Sequence, residues 1–124
     1  MPTAELMQAT VHAYVRALNA ADLEAVVALY ADNAVLEDPV GSVPKRGIAE
    51  IRAFYAGALR VKPRLELEGP IRAVADEAAF PFSVRFEIKG QRTTIRPIDV
   101  FRFNAAGRIV QMRAFFGPEN ISAG

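Results

Sequence analysis

At 124 residues the chain has room for one hydrophobic core and not for two ordinary domains, so residues 1–124 are expected to form a single domain. Fifteen Lys and Arg against fourteen Asp and Glu leave a charge of +1, with no basic cluster interleaved with aromatics, which argues against nucleic acid as a partner. The absence of cysteine and the single histidine leave thiol catalysis, Ser-His chemistry and the common zinc sites without their residues; no metal is expected, and any chemistry falls to carboxylates, phenols and backbone.

The first segment, Thr3 to about Asn19, places Met7, Val11, Tyr14, Val15 and Leu18 on one stripe of a helix, with Tyr14 facing inward. His12 lies one position off that stripe and, without a second ligand or a nucleophile beside it, receives no role. Asp22 is positioned to cap a second helix in which Leu23, Val26, Val27 and Tyr30 recur at helical spacing before Asp32-Asn33 ends it. The start of the chain lacks the basic segment and apolar run of a signal peptide, and no apolar stretch approaches the roughly 18 residues that span a bilayer. A cytoplasmic protein with no membrane partner is expected.

A short strand, Ala34 to Asp38, follows and is closed by Pro39; alternation puts Leu36 and Asp38 on one face. After a loop to Gly47, a third helix from Ile48 to about Leu59 buries Ile48, Ile51, Tyr55 and Leu59, so that all three tyrosines are expected on inner helical faces. Beyond Lys62 the period changes to two, in runs broken by Gly69-Pro70, Lys89-Gly90 and Ala106-Gly107, which is the pattern of an antiparallel sheet. Phe80, Phe82, Val84, Phe86 and Ile88 share one face, with Ser83, Arg85 and Glu87 on a wet one. A run read as one strand from Thr94 to Phe103 sets Asp99 on the face of Phe101 and Phe103. The last strand, Ile109 to Phe116, alternates Val110, Met112, Ala114 and Phe116 against Ile109, Gln111, Arg113 and Phe115. Apolar groups on both of its faces point to an outer surface covered by a partner subunit. Three helices followed by a meandering sheet define an α+β domain whose curved sheet encloses a cone-shaped cavity.

Two acids stand among apolar neighbours. A carboxyl removed from water has its pKa raised, which is what proton chemistry near neutral pH requires. Asp38 at a strand end suits a base, although Asp-Pro also opens ordinary turns. Asp99 in an aromatic strand is either functional or a structural buried acid with a hydrogen-bond partner. A tyrosine on an apolar stripe is by itself mostly core.

The run from Tyr14 through Tyr30 to Asp38-Pro39-Val40-Gly41, then Glu50 to Tyr55, then Pro97-Ile98-Asp99-Val100-Phe101-Arg102-Phe103, resembles the bacterial steroid delta-isomerases (ketosteroid isomerases) of the nuclear-transport-factor-two-like superfamily. The resemblance covers nearly the whole chain. It implies a cone-shaped α+β fold, a homodimer formed through the sheets, a steroid substrate and no cofactor. It implies conversion of 3-oxo-Δ5-steroids to 3-oxo-Δ4-steroids, with Asp38 moving a proton from C4 to C6 and Tyr14 and protonated Asp99 donating to the C3 oxygen of the dienolate. Tyr30 and Tyr55 correspond to tyrosines that extend the hydrogen-bond chain behind Tyr14. Phe54, Phe82, Phe86, Phe101, Met112 and Phe116 correspond to the steroid pocket wall. The alternatives are a polyketide cyclase, dehydratase or epoxide hydrolase on the same fold, and a non-catalytic steroid-binding module. A dehydratase would want His in the cavity and an epoxide hydrolase an Asp-Arg-Asp set, yet Arg85, Arg96, Arg102 and Arg113 alternate outward.

Overall fold

The computed structural model describes residues 1–124. Helix α1 (Ala4–Asn19) starts where the Thr3 hydroxyl accepts from the Leu6 amide at 3.0 Å, and it buries Met7, Val11, Tyr14, Ala17 and Leu18. Helix α2 (Leu23–Val27) is capped by Asp22, whose carboxylate accepts from the Ala25 amide at 3.1 Å.

The second helix is shorter than its apolar spacing suggests. Its end is taken up from across the chain: the Ala28 carbonyl accepts from Arg108 at 3.1 Å and the Leu29 carbonyl from the Ile109 amide at 2.9 Å. Strand β1 (Tyr30–Glu37) therefore begins at Tyr30, which is buried as a strand residue and not on a helix. The spacing Leu23, Val26, Val27, Tyr30 fits both a helix stripe and a helix followed by an inward strand residue, and tertiary hydrogen bonds decide between them. Asp32 and Asn33 sit in an irregular, exposed part of β1, where its register with the last long strand shifts between Tyr30 and Val35.

Strand β2 (Lys45–Arg46) leads into α3 (Gly47–Ala58), which buries Ile51 and Tyr55 and passes through a short 3₁₀ turn at Leu59–Val61. The sheet then continues as β3 (Arg64–Leu67), β4 (Arg72–Val74), β5 (Glu77–Ile88), β6 (Gln91–Ile95), β7 (Ile98–Phe103), β8 (Ile109–Phe115) and β9 (Ile121–Ala123). Its order is β2-β1-β8-β7-β5-β6-β9, with β3 and β4 also on β5. All pairings are antiparallel except β1 with β8, which is parallel, so the sheet is mixed.

The twelve-residue β5 carries the curvature. Residues Glu77 to Pro81 pair with β7, while Val84 to Ile88 pair with β6, so the strand passes from one half of the sheet to the other. The single strand expected over Thr94 to Phe103 is accordingly two, divided at Arg96-Pro97, since proline cannot donate to a ladder. Ser83, expected on the wet face, is fully buried and its hydroxyl accepts from Arg85 at 3.2 Å. Ile109, expected outward, is buried too: Arg102 pairs with Gln111 and Phe103 with Ile109, so Val110 is an extra residue and the bulge turns Ile109 inward. Gly107 forms the β7–β8 turn at φ +82, and a Cβ there would stand 3.1 Å from a Leu6 methyl.

The helices lie against the concave side of the sheet and the core forms between them around Tyr14, Tyr30, Tyr55, Phe80 and Phe101. Asn19, at the end of α1, donates to the Leu65 carbonyl at 2.9 Å and accepts from the Leu65 amide at 2.7 Å, fixing the helix to β3. No helix is long and apolar enough to cross a membrane.

Candidate active site

An apolar cavity opens between α1, α3 and the concave face of the sheet, with about 730 Å³ of atom-free space, part of it continuous with solvent. Only four of its lining side chains carry a polar atom: Tyr14, Asp38, Tyr55 and Asp99. Each reaches the cavity for a local reason. Tyr14 lies on the buried stripe of α1. Tyr55 faces inward from the last turns of α3. Asp38 follows β1 on the side of buried Leu36. Asp99 sits in β7 with Phe80 and Ala114 as its partners on either side.

The three tyrosines form a chain. The Tyr30 and Tyr55 hydroxyls are 2.5 Å apart and those of Tyr55 and Tyr14 3.1 Å apart. Burial raises the pKa of each well above the ordinary phenol value, so all three are neutral at physiological pH. Tyr14 also stands edge-on to Phe101 at 5.1 Å, which holds its ring in place.

The two acids differ. Burial raises Asp38 to about 6, close enough to neutrality for it to give and take protons. Asp99 is raised well above the ordinary carboxylate value, first by burial and then by the charge of Asp38, which favours its neutral form. Its Oδ1 is the one buried side-chain polar atom without a hydrogen-bond partner, and a buried polar group left unpaired costs on the order of 1–3 kcal/mol. A structural buried acid would be satisfied; this one has a hydrogen-bonding atom left over in an apolar cavity.

Of the aromatic residues expected in the wall, Phe54, Phe82, Phe86 and Phe116 line the cavity. Phe101 and Met112 do not: both are fully buried in the core behind it, Phe101 edge-on to Tyr14 of α1. Tyr30 likewise stands behind Tyr55 and outside the cavity. Val61, Pro63 and Leu65 form a wall that local periodicity does not reveal. Burial of Pro63 and Leu65 with Arg64 exposed is legible as period two, but the position of β3 opposite α1 is not. His12 is exposed and lies outside the cavity.

The fold and the cavity define a small α+β domain with two unlike carboxyls, one half-buried and one fully buried, in one apolar cavity. The model of the SnoaL-like domain matches residues 11–112, and the chain belongs to that family. It is 43% identical over 112 residues to the steroid Delta-isomerase of Nocardioides simplex, covering 90% of each chain. It is 31% identical to the epoxide hydrolase LasB of Streptomyces lasalocidi over 98% of this chain, and that match takes in 45% of the larger relative. Among solved structures, the epoxide hydrolase/cyclase-like enzyme SalBIII, described in pyran ring formation in the polyether salinomycin, superposes with a TM-score of 0.89 at 27% identity over 95% of both chains. RV0760c of Mycobacterium tuberculosis superposes with a TM-score of 0.88 at 24% identity over both full chains and supports the fold.

Proposed function

We propose that the protein isomerises 3-oxo-Δ5-steroids to their conjugated Δ4 isomers. The observation that carries this reading is the pairing, in one apolar cavity, of Asp38, whose carboxyl is raised to about 6, with the fully buried Asp99, whose Oδ1 has no partner. Asp38 takes the acidic proton from C4, the C4–H electrons pass into a dienolate, and the proton now on Asp38 is delivered to C6. The C3 oxygen, which gains negative charge as the dienolate forms, accepts from the Asp99 carboxyl and the Tyr14 hydroxyl. Tyr14 can keep its proton directed at that oxygen because its own oxygen accepts from Tyr55, which Tyr30 supports in turn. Fixed donors at the site of developing charge stabilise the transition state more than the substrate. The similarity to the Nocardioides simplex isomerase supports the same reading.

Epoxide opening or cyclisation is the second reading, favoured by the likeness to LasB and SalBIII. Against it, no arginine, lysine or histidine lines the cavity; Arg85, Arg96 and Arg102 are exposed and Arg113 pairs with Glu37 at 3.3 Å. Mixing the protein with a 3-oxo-Δ5-steroid and following the conjugated enone by ultraviolet absorbance decides between them. Growth of the enone band is expected, and binding without it would favour a steroid-binding module.

The pH dependence of that reaction follows from Asp38. The base works ionised, so kcat/KM is expected to rise with pH and level off above about 6. A profile flat across that range would exclude Asp38 as the base.

The functional form in this proposal is a homodimer, acting in the cytoplasm on a small steroid. Ile98 and Phe115 are cross-strand partners on the outer face of the sheet and remain 48% and 41% exposed. Light scattering is expected to report about twice the 13.5 kDa chain mass, and a monomer at micromolar concentration would count against the assembly.

A further inference from the structure

The register of β3 with β5 sets Arg64 directly opposite Arg85. Like charges facing each other across an antiparallel pair repel. Lys62, two residues before Arg64, brings a third cation to the same recess, and Arg92 on β6, opposite Glu87 of β5, a fourth. The recess lined by Lys62, Arg64, Arg85 and Arg92 contains one side-chain carboxylate, Glu87, together with Thr93 and Gly124, whose main-chain oxygen accepts from the Thr94 hydroxyl at 2.8 Å. Two ion pairs neutralise part of this charge, Arg92 with Glu87 at 3.8 Å and Arg85 with Glu66 at 3.5 Å. Lys62 and Arg64 have no acidic partner. In a chain whose total charge is +1, this is a concentrated excess of positive charge.

The recess borders the apolar cavity at its rim. Val61 and Phe86 line both. Phe80 pairs with Asp99, and Phe86 lies six residues further along β5. At about 3.3 Å per residue, that sets the junction up to roughly 20 Å from the level of Asp99. A rigid ligand held at Asp99 that carries a flexible tail would deliver the end of the tail past Phe86 into the basic recess.

We infer that this recess is a subsite for a carboxylate at the end of the substrate's side chain, so that acidic 3-oxo-Δ5-steroids are taken in preference to neutral ones. The inference rests on the isomerase reading for the orientation of the ligand. An incoming oxyanion would supply the partner that Lys62 and Arg64 lack and would relieve the repulsion between Arg64 and Arg85.

The test compares a 3-oxo-Δ5-steroid bearing a carboxylate-terminated side chain with its methyl ester. The acid is expected to show a kcat/KM about tenfold above the ester at low salt, carried by KM, and the advantage should shrink as ionic strength rises. Arg64→Glu should abolish or invert the preference, and Lys62→Gln, at an exposed site, should reduce it by about threefold. Equal handling of acid and ester, or a preference that survives Arg64→Glu, would overturn the subsite. Affinities of the two probes for the Asp38→Asn variant, measured by calorimetry, separate the two readings. Tighter binding of the acid upholds the subsite even if wild-type protein turns over neither compound, whereas equal affinities reject it even if both are isomerised.

Discussion

Asp38→Asn is expected to lower turnover of a 3-oxo-Δ5-steroid by roughly a hundred- to ten-thousandfold, the range supplied by a positioned general base. Asparagine has nearly the same shape and cannot take the C4 proton, while the cavity offers no comparable base: burial favours the neutral form of Asp99 and keeps Tyr14 and Tyr55 neutral. Steroid affinity should survive, because most of the lining is apolar. Turnover within about tenfold of wild type would assign the proton transfer to another group. The same variant carries a second signature, in stability. Burial raises the folded-state pKa of Asp38 to about 6, so the proton is held more tightly in the folded chain than in the unfolded one. The stabilisation from that proton is fully present below the unfolded value of about 3.9 and is lost as pH rises through about 6. Above that pH the ionised carboxylate costs the fold up to about 3 kcal/mol, at about 1.36 kcal/mol for each pH unit between the unfolded and folded values. Asp38→Asn should therefore melt higher than wild type at neutral pH and match it in acid. An inactive variant that melts lower throughout would indicate a structural role instead.

Tyr14→Phe and Asp99→Ala are each expected to reduce turnover by about a hundred- to a thousandfold with little change in KM, since losing one donor to a developing oxyanion costs roughly 2.7–4 kcal/mol. The dienolate charge is absent from the bound substrate, which is why the loss falls on turnover. Asp99→Asn should be milder than Asp99→Ala, because an amide still donates where a methyl cannot. That order depends on Asp99 being protonated, and burial in β7 between Phe80 and Ala114 favours the neutral form. If Asp99 worked as an anion, the Asn and Ala variants would be equally impaired. The three variants should also lose affinity for a planar phenolic steroid that mimics the dienolate. Unchanged phenol binding in Tyr14→Phe would remove Tyr14 from the oxyanion site.

Local periodicity is enough to orient Tyr14, Asp38 and Asp99 toward the interior, because each obeys the rule of its own element. Tyr14 follows the helical stripe Met7, Val11, Leu18, while Asp38 and Asp99 share a strand face with Leu36 and Phe101. Periodicity misplaces Tyr30 because Leu23, Val26, Val27 and Tyr30 satisfy a helix as well, and the hydrogen bonds from Arg108 and Ile109 that end α2 come from eighty residues away. It turns Ile109 outward because a bulge changes the parity of alternation and leaves no mark in composition. Phe101 and Met112 have the inward register expected of them, yet which inward residues reach the cavity depends on the curvature of β5, a property of the whole sheet. The arginine pair facing across β3 and β5 is invisible in the sequence for the same reason, since the register between two strands is not written in either strand alone.

The Asn19 side chain has a consequence for how the molecule meets its neighbours in a crowded solution. In register with Val84, Leu65 turns its amide and carbonyl away from β5, toward the side of β3 that no strand covers. Such a pair of groups is the template on which a foreign strand adds to a sheet edge. The carboxamide of Asn19 presents one donor and one acceptor at 2.9 and 2.7 Å, the same two bonds that a strand residue would offer, and so closes the ladder with a single side chain. The rim of the cavity at Leu65 is in this way shielded from intermolecular β-pairing while its inner face stays free to contact ligand.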